Sequence, residues 1–275
     1  MHIYRYKYLK DGEGLRAVIR DRTMRFTHPQ EFNDPFDCMP AFEVRMSRDI
    51  EKIHQKFRNV LNLDSLDSSE RDRTLLRVED QMRLAFASGE FLSNMLSGCS
   101  VLSLTKIPDS TLMWSHYAKD HKGAVVEFKI DVSKRPFSID TSYADFICQD
   151  IIYSKERPVM VFDGSSADPG TILDELILTK ADVWSYEQES RVVKSSGGGG
   201  NLKYNDSLLN AVILGARNES ADEIRELVFS VGSELQRDIP VYQAQFCNRT
   251  YRLDIPGFQY RYECGDIQSA HPLDR

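Results

Sequence analysis

The sequence lacks the features that would place a protein in or across a membrane. It has no run of about 18 apolar residues, the length that a membrane-spanning helix needs. Its opening residues, MHIYRYKY, are too polar for the apolar core of a signal peptide. Its five cysteines are widely spaced and include no CxxC pair, which is typical of a reducing compartment. We therefore expect a cytoplasmic protein with no membrane partner.

Several catalytic signatures are also missing. The sequence contains no Gly-x-Ser-x-Gly of serine hydrolases, no Walker A motif and no Gly-x-Gly-x-x-Gly dinucleotide fingerprint. The glycine-rich stretch at 195–200 carries no following lysine and serine or threonine, so it predicts a flexible loop. His116 and His121 are five positions apart, a poor match to the i, i+4 spacing of helical zinc ligands. We therefore predict neither a metal site nor a standard phosphate-binding loop.

What is present predicts one folded domain. The chain has 275 residues, of which 41% are hydrophobic and 28% charged, which is enough for a substantial core. The formal net charge of −7 argues against broad capture of nucleic acid but allows a local basic groove. Strands and helices mix without the regular alternation of a doubly wound sheet. We predict a single α+β domain over residues 1–275, with a helical insertion at about 45–95.

Hydrophobic periodicity locates the main elements. Alternating and β-branched stretches predict strands at 4–8, 23–27, 101–105, 124–130, 184–193, 208–214 and 240–245. A short helix should bury Leu15, Val18 and Ile19, and longer helices are predicted at 111–121 and from residues 171 and 220 onward. Gly123 stands where a left-handed C-cap would close the helix at 111–121.

Glu187, Glu189 and Arg191 form the first candidate site. At alternating positions of an extended segment they would project from one face. Two neighbouring carboxylates disfavour simultaneous ionisation and Arg191 restores it, so the group suits acid/base chemistry. Trp184 and Tyr186 flank these charges and offer stacking surface. The alternative is a solvated strand face with a weak ion pair, which the spacing alone favours.

The helix at 111–121 carries the second candidate site. Its periodicity puts His116 and Tyr117 on one face and Trp114 and Tyr117 on another, so that Tyr117 lies where the two faces meet. His116 can serve as an acid or a base. The alternative is that His116 is an ordinary surface histidine and Trp114 a core residue.

Four motifs resemble a bacterial family known only as a domain of unknown function, found in genomic contexts that include mobile and phage-defence islands. They are Tyr-Lys-Tyr, Phe-Asn-Asp-Pro-Phe-Asp, Leu-Met-Trp-x-His-Tyr-Ala-x-x-His-x-Gly and Lys-x-x-x-Trp-x-Tyr-Glu-x-Glu-x-Arg. These motifs stand at residues 6–8, 32–37, 112–123 and 180–191. The resemblance covers most of the chain.

The order of these segments also resembles, more distantly, the ADP-ribosyltransferases. Those enzymes hold NAD with a basic residue on the first strand, a Ser/Thr or Tyr element in the middle and a late Glu-x-Glu. The resemblance implies a mixed, split central β-sheet with NAD as substrate. It implies Glu189 as the catalytic carboxylate and Glu187 as the group that orients or deprotonates the acceptor. The residues implied to contact NAD or support these carboxylates are Arg5, Lys7, Tyr8, Ser103, Thr105, Trp114, His116, Tyr117 and Arg191.

The resemblance thus implies an NAD-dependent ADP-ribosyltransferase, a toxin or phage-defence effector that modifies RNA, DNA or protein. An antitoxin or inhibitor protein would then be a possible partner. Two alternatives remain open: a non-catalytic ligand-binding or sensor protein, and a hydrolase or nuclease using the carboxylates with Asp34, Asp37 or His116. A nucleic-acid acceptor would need local positive charge. The nearest basic run is Arg16, Arg20, Arg22 and Arg25, and its alternative is a solvated helix face.

Overall fold

The structure, a computed structural model, describes residues 1–133, 143–144, 146–165, 170–195 and 197–260. Its β-strands are β1 His2–Leu9, β2 Thr23–Phe26, β3 Ala41–Val44, β4 Ser100–Thr105, β5 Ala124–Asp131, β6 Tyr143–Ala144, β7 Cys148–Asp150, β8 Ile152–Ser154, β9 Val159–Phe162, β10 Thr179–Ala181, β11 Glu189–Lys194, β12 Gly200–Tyr204, β13 Leu209–Leu214, β14 Val241–Gln243, β15 Gln245–Phe246 and β16 Leu253–Asp254. Its α-helices are α1 Glu13–Arg20, α2 Gln55–Val60, α3 Ser68–Ala87, α4 Glu90–Leu96, α5 Thr111–Tyr117, α6 Gly170–Leu178 and α7 Ala221–Glu234. Within these described residues, no helix is both long and apolar enough to cross a bilayer.

Seven strands form a mixed central sheet. Their order is β14-β13-β5-β1-β4-β11-β7, in which β13 and β14 run parallel and the other neighbours pair antiparallel. Strand β5, near the middle, is buried along most of its length, as its apolar sequence predicts. The α+β class with a large mixed sheet is therefore confirmed. That the sheet is of the ADP-ribosyltransferase type stays a prediction.

The sheet opens between β1 and β4. Strand β1 pairs with β5 along its full length of 8 residues. With β4, the described pairing is limited to Tyr6 opposite Thr105. Past this point the Lys7 side chain spans the gap, and its Nζ donates to the carbonyl oxygen of Ser103 at 2.7 Å. The separation of these two strands creates a cleft at the middle of the sheet.

Helices and loops cover both faces of the central sheet. One face packs against α1 and α7, and Leu15, Val18 and Ile19 are buried there at helical spacing, as predicted. The other face packs against α5 and the segment containing Leu253 and Phe258. Each fully buried apolar side chain of this kind stabilises the fold by roughly 1.5–3 kcal/mol. The strand ends that border the cleft are therefore held on a rigid base.

Residues 50–96 contain α2, α3 and α4. Helix α3 begins with a capping box, in which Asp67 and Glu70 bond each other's backbone N–H groups. Glu79 of α3 is buried and accepts a hydrogen bond from the backbone N–H of Met46 at 2.9 Å. These helices occupy the segment for which the sequence predicts a helical insertion.

The strand predicted at 184–193 is wrong in its first half. A 3₁₀ helix, Asp182–Glu187, precedes β11, which begins at Glu189. Gln188 between them has a left-handed backbone with φ 42°. Glu187 and Glu189 therefore do not alternate along one extended segment, and their proximity needs another cause.

The helix predicted at 111–121 ends early, at Tyr117. The left-handed residues that follow it are Lys119, Asp120 and His121, whose φ values are 49°, 54° and 67°. The left-handed C-cap predicted at Gly123 is therefore wrong. A side chain at Gly123 would instead overlap the backbone of Leu9, so glycine is required there by close approach of two chain segments.

Candidate functional site

A cleft of about 690 Å³ lies where β1 and β4 separate. Its lining comes from β1, β4, α5, the turn at 31–37 and the segment from Lys180 to Arg191. All four sequence motifs contribute side chains to it. Its volume falls within the range of about 300–1,000 Å³ that small-molecule sites occupy. The cleft is therefore the candidate functional site.

Five charged side chains meet at the floor of this cleft, and we call them the charged cluster: Asp37, Lys180, Glu187, Glu189 and Arg191. Each of these side chains is at most 7% exposed. Burial of a charge costs several kcal/mol unless the charge is paired and hydrogen-bonded. The ion pairs within the cluster therefore decide whether its side chains can stay charged while buried.

Arg191 joins two carboxylates. Its Nε and Nη2 lie 2.8 and 3.2 Å from the carboxylate oxygens of Glu189. Its Nη1 and Nη2 lie 3.0 and 2.6 Å from those of Asp37. The guanidinium also donates to the carbonyl oxygen of Ile177, and its central carbon is 5.1 Å from the centre of the Phe32 ring. A planar guanidinium suits such two-sided pairing, so Arg191 supports the carboxylates rather than facing a ligand.

Lys180 bridges the two glutamates. Its Nζ lies 2.6 Å from Glu187 Oε2 and 3.0 Å from Glu189 Oε2. Asp37 Oδ2 is 3.7 Å from the same nitrogen, and the centre of the Trp184 ring is 5.1 Å away. Trp184 thus covers the lysine from outside. This ammonium group holds Glu187 and Glu189 side by side.

Three members of the cluster, Glu189, Lys180 and Arg191, are held in their charged forms at neutral pH. Burial would raise the pKa of Glu189, but Arg191 and Lys180 outweigh burial and lower the pKa to about 2. Burial would lower the pKa of Lys180, but Glu189 and Glu187 raise it. Glu189 and Asp37 likewise raise the pKa of Arg191 against the effect of burial. A permanently charged Glu189 is suited to stabilise positive charge that develops nearby.

Tyr117 connects the cleft wall to Glu187. Its hydroxyl donates to Glu187 Oε1 at 2.6 Å. The Asn33 side chain hydrogen-bonds to Tyr117, so the turn at 32–37 contributes to this wall. Burial and the bond to Glu187 raise the pKa of Tyr117, which keeps its hydroxyl protonated as a donor. The ring of Tyr117 remains half-buried and lines the cleft.

Backbone contacts explain why the two glutamates converge. The left-handed Gln188 reverses the chain between Glu187 and Glu189. Thr105 Oγ1 donates to the carbonyl oxygen of Glu187 at 2.5 Å. The backbone N–H of Glu189 donates to the Tyr153 hydroxyl at 2.7 Å. Contacts with β4 and β8 thus anchor both ends of this bend.

Most of the residues predicted for the site border the cleft: Lys7, Tyr8, Ser103, Thr105, His116, Tyr117, Glu187, Glu189 and Arg191. Among them, burial lowers the pKa of Lys7, while Glu189 and Glu187 act in the opposite direction and favour its charged form. His116 is exposed at the cleft mouth, with Nδ1 3.3 Å from the Tyr186 hydroxyl. The Tyr8 hydroxyl is engaged with the backbone of Ile107 and Ser110, so Tyr8 offers its ring alone.

Two predicted residues, Arg5 and Trp114, do not appear among the described residues that line the cleft. Arg5 is 3% exposed, and its Nε and Nη1 donate to Ser190 Oγ and to the carbonyl oxygen of Tyr4, each at 2.9 Å. Trp114 is fully buried, and its Nε1 donates to the carbonyl oxygen of Pro108 at 2.9 Å. Both side chains are placed to support the fold.

Lys180 is the member of the charged cluster that the sequence does not predict for this site, and Asp37 is predicted there in the hydrolase or nuclease alternative alone. Lys180 opens the fourth motif and Asp37 closes the second, so their place in these motifs was the available signal. Spacing offered none, because Asp37 and its partner Arg191 are 154 positions apart. Only the folded chain brings them into contact.

The predicted basic run is a set of surface ion pairs. Its four arginines pair with acidic side chains as Arg16–Asp11, Arg20–Glu13, Arg22–Glu234 and Arg25–Glu31. Exposed pairs of this kind leave little free positive charge. As for metals, no group of three or more His, Cys, Asp or Glu side chains in the described part of the chain is arranged to hold an ion.

Fold and site together define a class: a mixed α+β protein with carboxylates paired to buried cations at the floor of a cleft in its central sheet. The model of a family described as a protein of unknown function (DUF2971) matches residues 113–192. That stretch runs from α5 into β11 and contains the whole charged cluster except Asp37. Similarity to a domain family of unknown function is thus confirmed over this stretch. No curated protein and no solved structure matches the chain.

Proposed function

We propose that this protein is an NAD-dependent ADP-ribosyltransferase and that the cleft between β1 and β4 is its active site. One observation carries the proposal: Glu187 and Glu189 lie side by side at the cleft floor, held by Lys180 beside the Tyr117 ring. A carboxylate that stays ionised in a cleft is the group that transfer of an ADP-ribosyl unit requires.

The residues around the cleft suit NAD. Aromatic rings for the nicotinamide or adenine are supplied by Tyr117 and Phe32. Cations for the pyrophosphate are supplied by Lys7 inside the cleft and Lys10 at its edge. The Arg5 guanidinium is bonded to Ser190 and to the Tyr4 carbonyl oxygen, so Lys7 takes the part that the family resemblance assigns to a basic residue on the first strand. A volume of about 690 Å³ can hold an elongated dinucleotide in part or in full.

The proposed reaction is a substitution at the ribose carbon that carries nicotinamide. The bond from this carbon to the nicotinamide nitrogen breaks, and its electron pair leaves with neutral nicotinamide. Positive charge develops on the ribose and is stabilised by Glu189. The acceptor nucleophile bonds to the same carbon and passes its proton to Glu187. Arg191 and Asp37 hold Glu189 in place and contact no reacting atom.

An acceptor macromolecule completes the proposed reaction. We propose RNA, DNA or protein as the acceptor class, within a toxin or phage-defence role in the cytoplasm. A protein that modifies such a target would damage its own host, so an antitoxin or inhibitor protein is a proposed partner. Expression of the wild-type chain should then slow growth, and Glu189→Gln should relieve the effect.

The direct test follows NAD itself. Purified protein is incubated with NAD labelled in its adenylate half, together with cell RNA, DNA and protein, and label transfer and nicotinamide release are measured. We expect both with the wild type and at least a hundredfold loss, about 2.7 kcal/mol of transition-state stabilisation, with Glu189→Gln. The exposed Glu226→Gln is the matched control. Equal rates for Glu189→Gln and wild type, or no NAD loss at all, would contradict the proposal.

One observation favours a second candidate, a sensor that binds its ligand without turnover. Lys180 and Arg191 contact both oxygens of Glu189, so the protein's own cations balance this carboxylate. A sensor needs no more than such a preformed site. A ligand that raises the melting temperature but is recovered unchanged after prolonged incubation would support this candidate over the transferase.

A further inference from the structure

The turn at residues 32–37 has an inner and an outer side. On the inner side, Asp37 pairs with Arg191 in the charged cluster. On the outer side, Phe36 is 62% exposed. The turn is well fixed: Asp34 accepts hydrogen bonds from the backbone N–H of Phe36 through its side chain and of Asp37 through its carbonyl, at 2.9 and 3.1 Å. A rigid turn that completes the cluster thus also holds an aromatic ring out to solvent.

Basic side chains stand beside this ring. The guanidinium carbon of Arg157 is 5.6 Å from the centre of the Phe36 ring. Phe36, Met39, Lys155 and Arg157 border one small depression of about 40 Å³, and we call these four residues the outer face. Lys155 and Arg157 are exposed, and Met39 is 36% exposed. The outer face therefore combines a flat apolar ring with two cations at the surface.

The outer face adjoins the cleft through one residue. Lys180 lines both the depression and the cleft, and among the described residues it is shared by the two. Lys180 also contacts Glu187, the group proposed to deprotonate the acceptor. A molecule seated on the outer face would lie against Lys180, and so one side chain away from Glu187 and Glu189. A surface that adjoins the proposed base in this way suits the acceptor of the transfer.

We infer that the outer face binds single-stranded nucleic acid, and that the acceptor of the proposed transferase is therefore a nucleic acid. Base stacking on an aromatic ring or a guanidinium plane, with lysine and arginine on the phosphates, is how proteins hold unpaired strands. Phe36 and Arg157 supply the stacking surfaces, and Lys155 and Arg157 supply charge. The acceptor assignment rests on the proposed function, whereas strand binding is independent of NAD chemistry.

Charge on the rest of the surface favours this location. The chain carries a formal net charge of −7, so a strand would be repelled from most of the protein. The arginines of the α1 side are already paired with acids. Residues 155–157, Lys-Glu-Arg, carry two positive charges and one negative, a local excess of +1. An acidic peptide would pair its carboxylates with these cations, whereas every nucleotide of a strand brings both a phosphate for the cations and a base for the Phe36 ring.

Binding is tested with the full chain and a fluorescein-labelled, mixed-sequence strand of about 12 nucleotides, as DNA and as RNA, by fluorescence anisotropy. Phe36→Ala and the double variant Lys155→Glu/Arg157→Glu are compared with exposed controls elsewhere, Phe229→Ala and Lys56→Glu/Arg77→Glu. We expect each outer-face variant to bind about tenfold more weakly and each control to bind like the wild type. Wild-type binding should also weaken steeply with added salt.

The outcomes separate this inference from the proposed function. Strand binding that depends on Phe36, with no NAD consumed, would support the outer face as a nucleic-acid site and contradict the transferase proposal. NAD consumption with label transferred to a protein, and no strand binding, would support the transferase proposal and overturn the outer face as a nucleic-acid site. Equal binding by Phe36→Ala and Phe229→Ala would overturn it too. Unchanged melting temperatures of the variants exclude misfolding as the cause of any loss.

Discussion

Glu189 stabilises the fold through its charge. Its pKa is about 2 in the folded protein against an ordinary value of 4.5, since Arg191 and Lys180 outweigh the effect of burial. A lowered carboxyl pKa stabilises the folded state above the unfolded pKa, and this contribution is lost as the pH falls towards the folded pKa. The difference corresponds to about 3 kcal/mol. Glu189→Gln should therefore be less stable than the wild type by about this amount near neutral pH.

Urea unfolding between about pH 6 and pH 3 measures this effect. The gap in unfolding free energy between wild type and Glu189→Gln should shrink below pH 4.5, to less than about half its neutral value at pH 3. Glu226→Gln, at an exposed position, should show no such gap. A gap that stays constant with pH would mean that Glu189 is not held ionised by its partners.

Tyr117 contributes one strong hydrogen bond to the same site. Its hydroxyl donates to the Glu187 carboxylate at 2.6 Å, and a hydrogen bond to a buried charged group contributes about 1.5–3 kcal/mol. Tyr117→Phe should lower the free energy of unfolding by about 2 kcal/mol and slow NAD turnover. The fully exposed Tyr251→Phe is the control. Identical urea midpoints for the two variants would show that this bond carries no net free energy.

At the scale of secondary-structure elements, the loop after α5 meets the end of β1 at Gly123. The loop after α5 passes so close to the end of β1 that any Cβ at Gly123 would overlap the carbonyl oxygen of Leu9. Gly215 is in the same position against the carbonyl oxygen of His121. Backbone atoms cannot rotate away as a side chain can, so the chain itself would have to move. These two contacts fix the end of α5, and with it Tyr117, relative to the sheet.

Gly123→Ala should therefore lower the free energy of unfolding by about 3 kcal/mol, because the loop must separate from β1. Gly14→Ala offers a matched control, since Gly14 lies exposed in α1 with open space around it. That change should raise stability by about 0.5–1 kcal/mol, as alanine suits a helix better than glycine. Thermal or urea unfolding measures both. Similar stabilities for the two variants would contradict the close approach.

The elements that could be predicted from the sequence have a local pattern. The strand predicted at 124–130 is β5, Ala124–Asp131, and the helix predicted after residue 220 is α7, Ala221–Glu234. The 3₁₀ helix Asp182–Glu187 has no such pattern. It is held by Lys180 and by Thr105, which lies far away in the sequence. Contacts of that kind leave no periodic signal.

The candidate site was predictable to a similar extent. Glu187, Glu189 and Tyr117 follow from motif and residue type, and the structure brings them together. Arg5 does not line the cleft although it shares a side of β1 with Lys7, because its guanidinium is bonded to Ser190 and to the carbonyl oxygen of Tyr4. Strand alternation gives the side on which a residue lies but not the partner that its side chain finds. Lys180 was missed because its role depends on two carboxylates that the backbone bend at Gln188 places on either side of its Nζ.

At the scale of the whole molecule, the cleft joins segments that are distant in the chain. Strand β1, the turn at 32–37, α5 and β11 all border it, so a ligand bound there contacts the folded state and not the unfolded chain. Such a ligand stabilises the protein by mass action. At a hundred times its dissociation constant, NAD should add about 2.7 kcal/mol to the free energy of unfolding of the wild type.

Two exposed lysines test whether this stabilisation arises in the cleft. Lys10 borders the cleft, where it can reach a pyrophosphate, whereas Lys56 lies on α2 outside it. Both variants, Lys10→Met and Lys56→Met, lose one positive charge of the same kind. Urea unfolding with and without NAD should show a smaller NAD increment for Lys10→Met and an unchanged increment for Lys56→Met. Equal increments would place NAD elsewhere, because loss of a cation that contacts a phosphate weakens binding where it lies and nowhere else.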